Sequence, residues 1–217
     1  MQLTLPDKGL LSKTGEVDYF YWNYKFPINI IQKYRFKRIL KLMGDKKYDS
    51  ILEAGTGSGI FIPELSKHCN KLEACDIHSN FTHIHDMCKL YGIRNYNLST
   101  QSIEQTDFPD KSFDLVVAVS VLEFVPDQQK AMNEINRILK DGGEFITICP
   151  MESKILDWFL SLYTSKAPKE EFGNARQKVT DLLEKNFTVL KKGYMLPLIG
   201  KLFPVYTHYK LKKPPTA

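Results

Sequence analysis

From residue 48 onward the chain alternates short apolar runs with stretches of helical periodicity. Tyr48 to Ala54 reads as a first strand and 58–68 as a helix. Lys71 to Asp76 reads as a second strand, followed by a helix over 80–91 that Gly92 closes. Asn95 to Ser99 is a weaker third strand and Phe113 to Ser120 a strong fourth. Pro126 to Lys140 is a helix opened by proline and stopped by Asp141-Gly142-Gly143, and Glu144 to Cys149 is a fifth strand. Strands separated by helices imply a doubly wound α/β fold, a parallel sheet with helices on both faces.

Two segments lie outside this pattern. Residues 27–43 form a helical stretch with Ile28, Ile31, Ile39 and Leu42 on one face and basic residues between them. After Pro150 come helical stretches near 152–163 and 169–186, then apolar runs at 187–194 and 203–211 that fit the closing strands of the same sheet. Met195 to Phe203 is apolar but broken by Pro197 and Gly200, which excludes a regular strand or a long helix.

Composition bounds this picture. The 217 residues, 43% hydrophobic, suit one globular domain, and no stretch approaches the roughly 20 apolar residues that cross a bilayer. The first residues, MQLTLPDKGLLSK, do not read as a secretory signal, so a cytoplasmic location is expected. Cys69, Cys75, Cys88 and Cys149 show no Cys-x-x-Cys spacing and read as buried small hydrophobes rather than as a disulfide frame or metal site. His78, His83 and His85 do not share one helix face, so no metal site is expected there and they read as surface residues.

The net charge of +5 is unevenly distributed: residues 1–41 carry +5, residues 185–217 carry +7, and residues 42–184 carry −7. Basic ends on an acidic body suggest an anionic partner or surface.

The candidate chemistry sits where the first strand ends, in Glu53-Ala54-Gly55-Thr56-Gly57-Ser58-Gly59. Glycines there let the backbone approach a ligand, and the next helix points free amides at it. Asp76 ends the second strand, where a carboxylate can accept from both hydroxyls of a ribose. The dinucleotide spacing G-x-G-x-x-G fails, because Ile60 stands where a third glycine is needed.

The spacing Glu-x-Gly-x-Gly-x-Gly resembles motif I of class I S-adenosylmethionine-dependent methyltransferases. Asp76-Ile77 resembles their ribose and adenine site. Pro109 to Val116 (P-D-K-S-F-D-L-V) resembles their P-x-x-S-F-D-x-V signature, and Leu139-Lys140-Asp141-Gly142-Gly143 resembles their L-K-P-G-G turn. The resemblance covers about residues 48–150 and implies a Rossmann-like, seven-stranded, mostly parallel sheet. It divides one 1–217 domain into an N-terminal helical cap (1–44), a cofactor-binding core (45–150) and a segment (151–217) that completes the sheet and the acceptor site.

That resemblance implies S-adenosyl-L-methionine as cofactor. Gly55, Thr56, Gly57 and Gly59 would line its methionine and ribose part, Glu53 would act on its amine, Asp76 on the ribose hydroxyls and Ile77 on the adenine face. The family's acidic contact to the adenine amine falls on Ser102, followed by Ile103, with Glu104 as the other candidate. Ser120 would approach the methionine moiety, with Leu122 and Glu123 facing the acceptor. The segment before the first strand often covers the site in this family, which makes Tyr19, Tyr21, Trp22 and Tyr24 candidates to lie over the cofactor, where an aromatic face favours a sulfonium.

Methyl transfer needs alignment and exclusion of water, and no nucleophilic side chain. Glu123 and His208 are the candidate proton acceptors. No N/D-P-P-Y follows the fourth strand, no Pro-Cys is present, and no RNA-binding module is visible. The motif set resembles the type 11 branch that includes small-molecule and quinone or lipid methylases. The expected acceptor is a small molecule, hydrophobic or anionic, with peripheral membrane contact through the basic C-terminal segment. An RNA methyltransferase held by its basic ends and a non-catalytic cofactor-binding partner protein are the alternatives. Acceptor atom and oligomeric state stay open.

Overall fold

The computed structural model describes residues 3–16, 18–151, 175–195 and 205–215. Seven strands form one sheet in the order β3-β2-β1-β4-β5-β7-β6. They are β1 (Tyr48–Ala54), β2 (Cys69–Asp76), β3 (Tyr96–Thr100), β4 (Phe113–Val119), β5 (Leu139–Pro150), β6 (Thr188–Tyr194) and β7 (Tyr206–Lys212). The first five are parallel, and β7 runs antiparallel between β5 and β6. The expected doubly wound sheet is therefore present. The helices among the described residues are α1 (Ile28–Met43), α2 (Ile62–Leu65), α3 (Thr82–Leu90), α4 (Gln128–Ile138) and α5 (Ala175–Asn186).

Alternation along the strands sends side chains into two separate cores. Ile51, Leu115, Val117 and Ile146 pack with Phe36, Ile39, Ile84 and Met87 of α1 and α3. Leu52, Val116, Ala118 and Phe145 pack with Met132, Ile135, Val179 and Leu183 of α4 and α5. A strand buried on both faces has no polar side, which is why β4 reads as a near-continuous apolar run.

Several expected boundaries shift. The helix expected over 58–68 is reduced to α2 and a 3₁₀ turn at Ser66–His68. The helix expected from Pro126 starts at Gln128, because the Asp127 side chain caps it by accepting from the Lys130 N–H at 3.0 Å. Asp141-Gly142-Gly143 does not separate helix from strand. Strand β5 already begins at Leu139, and the three residues form an irregularity where the β4–β5 register shifts between Phe113 and Leu115. The expected helix at 152–163, the start of the one at 169–186, and most of the broken apolar segment after Met195 lie outside the described residues.

Two sequence landmarks turn out to hold the sheet together. Asp114, from the S-F-D signature, accepts from the Ser50 N–H at 2.8 Å and from Lys140 Nζ at 3.1 Å, so it joins β1, β4 and β5. All four cysteines are free and buried.

Leu52, 0% exposed at the centre of β1, tests this core. Leu52→Ala should lower stability by about 3 kcal/mol in urea denaturation, whereas Leu90→Ala, at a site 68% exposed, should stay within about 0.5 kcal/mol.

Candidate ligand cavity at the carboxyl ends of the strands

In the strand order, β1 lies between β2 and β4, so the connections leaving β1 and β4 run to opposite sides of the sheet and leave a crevice beyond their carboxyl ends. A cavity of about 740 Å³ fills it. Its floor is the glycine turn after β1. Its walls are the ends of β2 and β4, and its roof comes from Thr14, Asp18, Tyr19, Trp22 and Asn23 and from Gln32, Arg35 and Phe36 of α1.

The turn is held by backbone and carboxylate together. The amides of Gly55 and Thr56 both donate to the Cys75 carbonyl, at 2.8 and 3.1 Å. The Gly57 amide donates to Asp76 Oδ2 at 2.8 Å, and His78 Nε2 lies 3.0 Å from the Gly57 carbonyl. Gly57 has φ +51°, a conformation that side chains rarely adopt, and a Cβ on Gly55 would collide with Val121. Asp76 lines the cavity, and its other oxygen accepts from the His78 N–H at 3.4 Å.

Buried carboxylates dominate one half of the lining. Glu53 accepts from Thr56 Oγ1 at 2.9 Å, and burial raises its pKa to about 8 despite that bond, with Asp76 adding to the rise. Asp18, raised by burial as well, is held by the Thr14 amide and hydroxyl and by the Phe20 amide. A carboxylate removed from water with no cation beside it is stabilised by a cationic ligand.

The other half carries arginines and one more carboxylate. Arg35 Nη1 donates to Ser120 Oγ at 3.0 Å and Nη2 donates to Gln32 Oε1. Among the described residues its hydrogen-bond partners, Gln32 and Ser120, are neutral and leave part of its five-donor fork unused. Ser120 itself has φ +55°, a strained conformation for serine that costs on the order of 1 kcal/mol and aims it at this arginine. Glu123, in the 3₁₀ turn Leu122–Phe124, is buried, and its Oε2 has no hydrogen-bond partner among the described residues. Burial raises its pKa to about 7, against the pull of Arg176 and Arg35.

Most sequence candidates meet in this cavity: Glu53, Gly55, Thr56, Gly57, Asp76, Ile77, Ser102, Ile103, Ser120, Glu123, Tyr19 and Trp22 all line it. Ile77, 79% exposed, offers an open apolar face. Ser102 donates to Glu104 Oε2 at 3.0 Å, so the two adenine-amine candidates form one hydrogen-bonded pair. Gly59 lies just behind the lining, where a Cβ would strike Ile84 at 2.9 Å.

Three expectations are corrected. Tyr24 does not reach the cavity, because its hydroxyl donates to the Pro6 carbonyl and its ring packs on the core. Tyr21 is also absent from the lining. His208 lies in β7, fully buried outside the cavity, and Nε2 accepts from Arg38 Nε at 2.8 Å. Burial and the Arg38 charge push its pKa down to about 4, so it is no base for a ligand in this cavity. Arg35 escaped sequence reasoning. The signal that marks it is a lone arginine beside Gln32 and Phe36 on the inward side of α1.

A sequence model described as a methyltransferase domain matches residues 52–147. The chain is 28% identical over 100 residues to a phosphatidylethanolamine N-methyltransferase of Cereibacter sphaeroides, covering 45% of this chain and 49% of that protein. It is 26% identical over 144 residues to a ubiquinone biosynthesis O-methyltransferase of Coxiella burnetii, covering 64% and 60%. The chain thus spans about half to three fifths of the length of these relatives. Among solved structures, N-methyltransferase NodS from Bradyrhizobium japonicum in complex with S-adenosyl-L-homocysteine superposes with a TM-score of 0.65 at 18% identity, covering 92% of this chain and 94% of that one.

Glu53 makes the ligand-free protein pH-sensitive. A carboxyl with a raised folded-state pKa holds its proton in the native but not the unfolded state, so stability falls as pH rises from about 4.5 to about 8. Urea midpoints measured without ligand should decline less steeply across that window in Glu53→Gln than in the parent.

Proposed function

The chain belongs to the class I S-adenosylmethionine-dependent methyltransferase family, and from that premise we propose that it methylates a small molecule with a hydroxyl or amine group. The observation that carries this reading is the cavity's division into a carboxylate half, with Asp18, Glu53 and Asp76, and a half with Arg35 and Glu123.

The residues fit the cofactor group by group. Asp76 accepts from the ribose hydroxyls while it holds the Gly57 amide. Glu53 takes up the ammonium, which restores the charge that burial suppresses. Arg35 receives the α-carboxylate through its unused donors. Ile77 covers the adenine, and the Ser102–Glu104 pair accepts from its amine. Tyr19, stacked on Trp22 with ring centroids 4.3 Å apart, presents aromatic surface to the cationic centre. S-adenosylmethionine, when bound, supplies an electrophilic methyl group on a sulfonium.

The acceptor enters from the side of Glu123. Buried, without a hydrogen-bonded partner at Oε2 and raised to about 7, this carboxyl is tuned to take a proton from a hydroxyl or amine near neutral pH. Phe36, Val119, Pro150 and Tyr206 provide apolar contact for the rest of the molecule. Two similar proteins are named for an N- and an O-methylation, which supports a protic acceptor.

Transfer of labelled methyl from S-adenosylmethionine into a fractionated cell extract tests the reading: label in small-molecule or lipid fractions supports it, and cofactor binding with no label transferred anywhere overturns it. Calorimetry should show S-adenosylhomocysteine bound at least about tenfold more weakly by Asp76→Ala and by Arg35→Met. Once an acceptor is in hand, the parent's rate should rise with pH through about 7 as Glu123 loses its proton, and Glu123→Gln should abolish that rise and cost about 10²- to 10⁴-fold in kcat.

A further inference from the structure

Helix α1 has two unlike faces. Ile28, Gln32, Phe36, Ile39 and Met43 form the buried stripe. On the opposite side, Ile30, Lys33, Lys37 and Lys41 follow one another at steps of three and four, with Phe26 just ahead of the helix. Phe26 is 77% exposed and Ile30 61%, an aromatic and a branched apolar side chain held out into solvent on one surface. From Tyr19 to Gly44 the chain holds six lysines and arginines and not one acidic residue.

The fold brings the second basic end of the chain to this same edge. The Tyr34 hydroxyl donates to the Tyr194 carbonyl at the end of β6, and Arg38 meets His208 of β7 at 2.8 Å. Lys192 and Lys210 of those strands are neutralised by Glu184 and Glu144. Among the described residues, Lys33, Lys37, Lys41 and Lys191 take part in no ion pair. A shallow hollow lined by Ile30, Lys33, Tyr34, Lys37 and Met195 lies at the centre of the patch.

We propose that this face of α1, led by Phe26 and Ile30 and backed by Lys33, Lys37 and Lys41, docks the protein on the surface of an anionic phospholipid bilayer. Two features complement such a surface. Lysines with no acidic partner are attracted to the negative headgroup layer, and exposed apolar side chains at one end of the row enter the acyl boundary. A nucleic-acid backbone would use the lysines but leave Phe26 and Ile30 in water. The same helix turns Gln32, Arg35 and Phe36 to the cavity, so docking places the cavity's wall one helix diameter from the bilayer.

Co-sedimentation of the full chain with phosphatidylcholine vesicles, and with vesicles carrying about one third phosphatidylglycerol, tests the assignment. The parent should bind the anionic vesicles at least about tenfold more strongly, each lysine near the headgroups contributing about fivefold. Lys33→Glu/Lys37→Glu should lose that preference, and Phe26→Ser/Ile30→Ser should lower binding severalfold. Because all four side chains point outward, both variants should keep the parent's thermal midpoint and S-adenosylhomocysteine affinity, which separates lost docking from lost folding. Equal binding of the parent to both vesicle types overturns the proposal. So does unchanged binding in either variant, or salt-sensitive binding to single-stranded RNA that survives Phe26→Ser/Ile30→Ser while vesicle binding is absent.

Discussion

The hydrogen bond from the Gly57 amide to the Asp76 carboxylate is the constraint on which the cavity depends. It ties the turn after β1 to the end of β2, across a pair of strands already in parallel register from Tyr48–Cys69 to Ala54–Cys75. A charged acceptor on a backbone amide is among the stronger hydrogen bonds available, and this one holds Gly57 in the left-handed conformation that glycine adopts freely and other residues do not. With the turn so fixed, Glu53, Asp76 and Asp18 meet in the cavity lining, the Asp18 carboxylate about 4 Å from where a Gly57 side chain would begin. The site is thus arranged before any ligand arrives, so little ordering cost is left for binding.

Legibility in the sequence followed how local each signal is. β4 is visible because burial on both faces gives it a near-unbroken apolar run, and the glycine turn is visible because its backbone excludes other residues. Helix α2 was overestimated, since Pro63 and the return into β2 at Cys69 leave room for barely one turn. The Asp141-Gly142-Gly143 segment carried a local turn signal that tertiary pairing overrode, because β5 bonds to β4 on both sides of it. His208 looked available only because sequence says nothing about which sheet face it takes. Arg35 and Tyr24 were misjudged for a related reason: their roles are set by contacts with Ser120 and with Pro6, which lie 85 and 18 residues away.

The charge asymmetry of the chain also acquires a physical basis. Its acidic middle contains all the carboxylates that line the cavity except Asp18, while its two basic ends, remote in sequence, converge where α1 meets β6 and β7. One end supplies a helix whose inward side includes Arg35, and the other supplies strands that position Lys191 beside Arg38 and His208. The outer edge is thus basic, whereas the cavity holds carboxylates on one side and Arg35 and Arg176 on the other.

The cost of such sorting falls on the unliganded protein. Glu53 and Glu123 are both buried, both raised toward neutral pH, and both would be more stable in water. Nothing in the core requires them, since apolar residues of similar size would fill the same space at no desolvation cost. The charges of Arg35 and Arg176 offset part of this cost for Glu123, whereas Glu53 has, among the described residues, only the Thr56 hydroxyl and would gain most from a cationic ligand. Two buried carboxylates in one cavity, with the strained Ser120 in the same lining, are consistent with the proposed pair of ligands rather than a single one. That is the requirement of a group transfer, in which donor and acceptor must be held side by side while each meets a different charge.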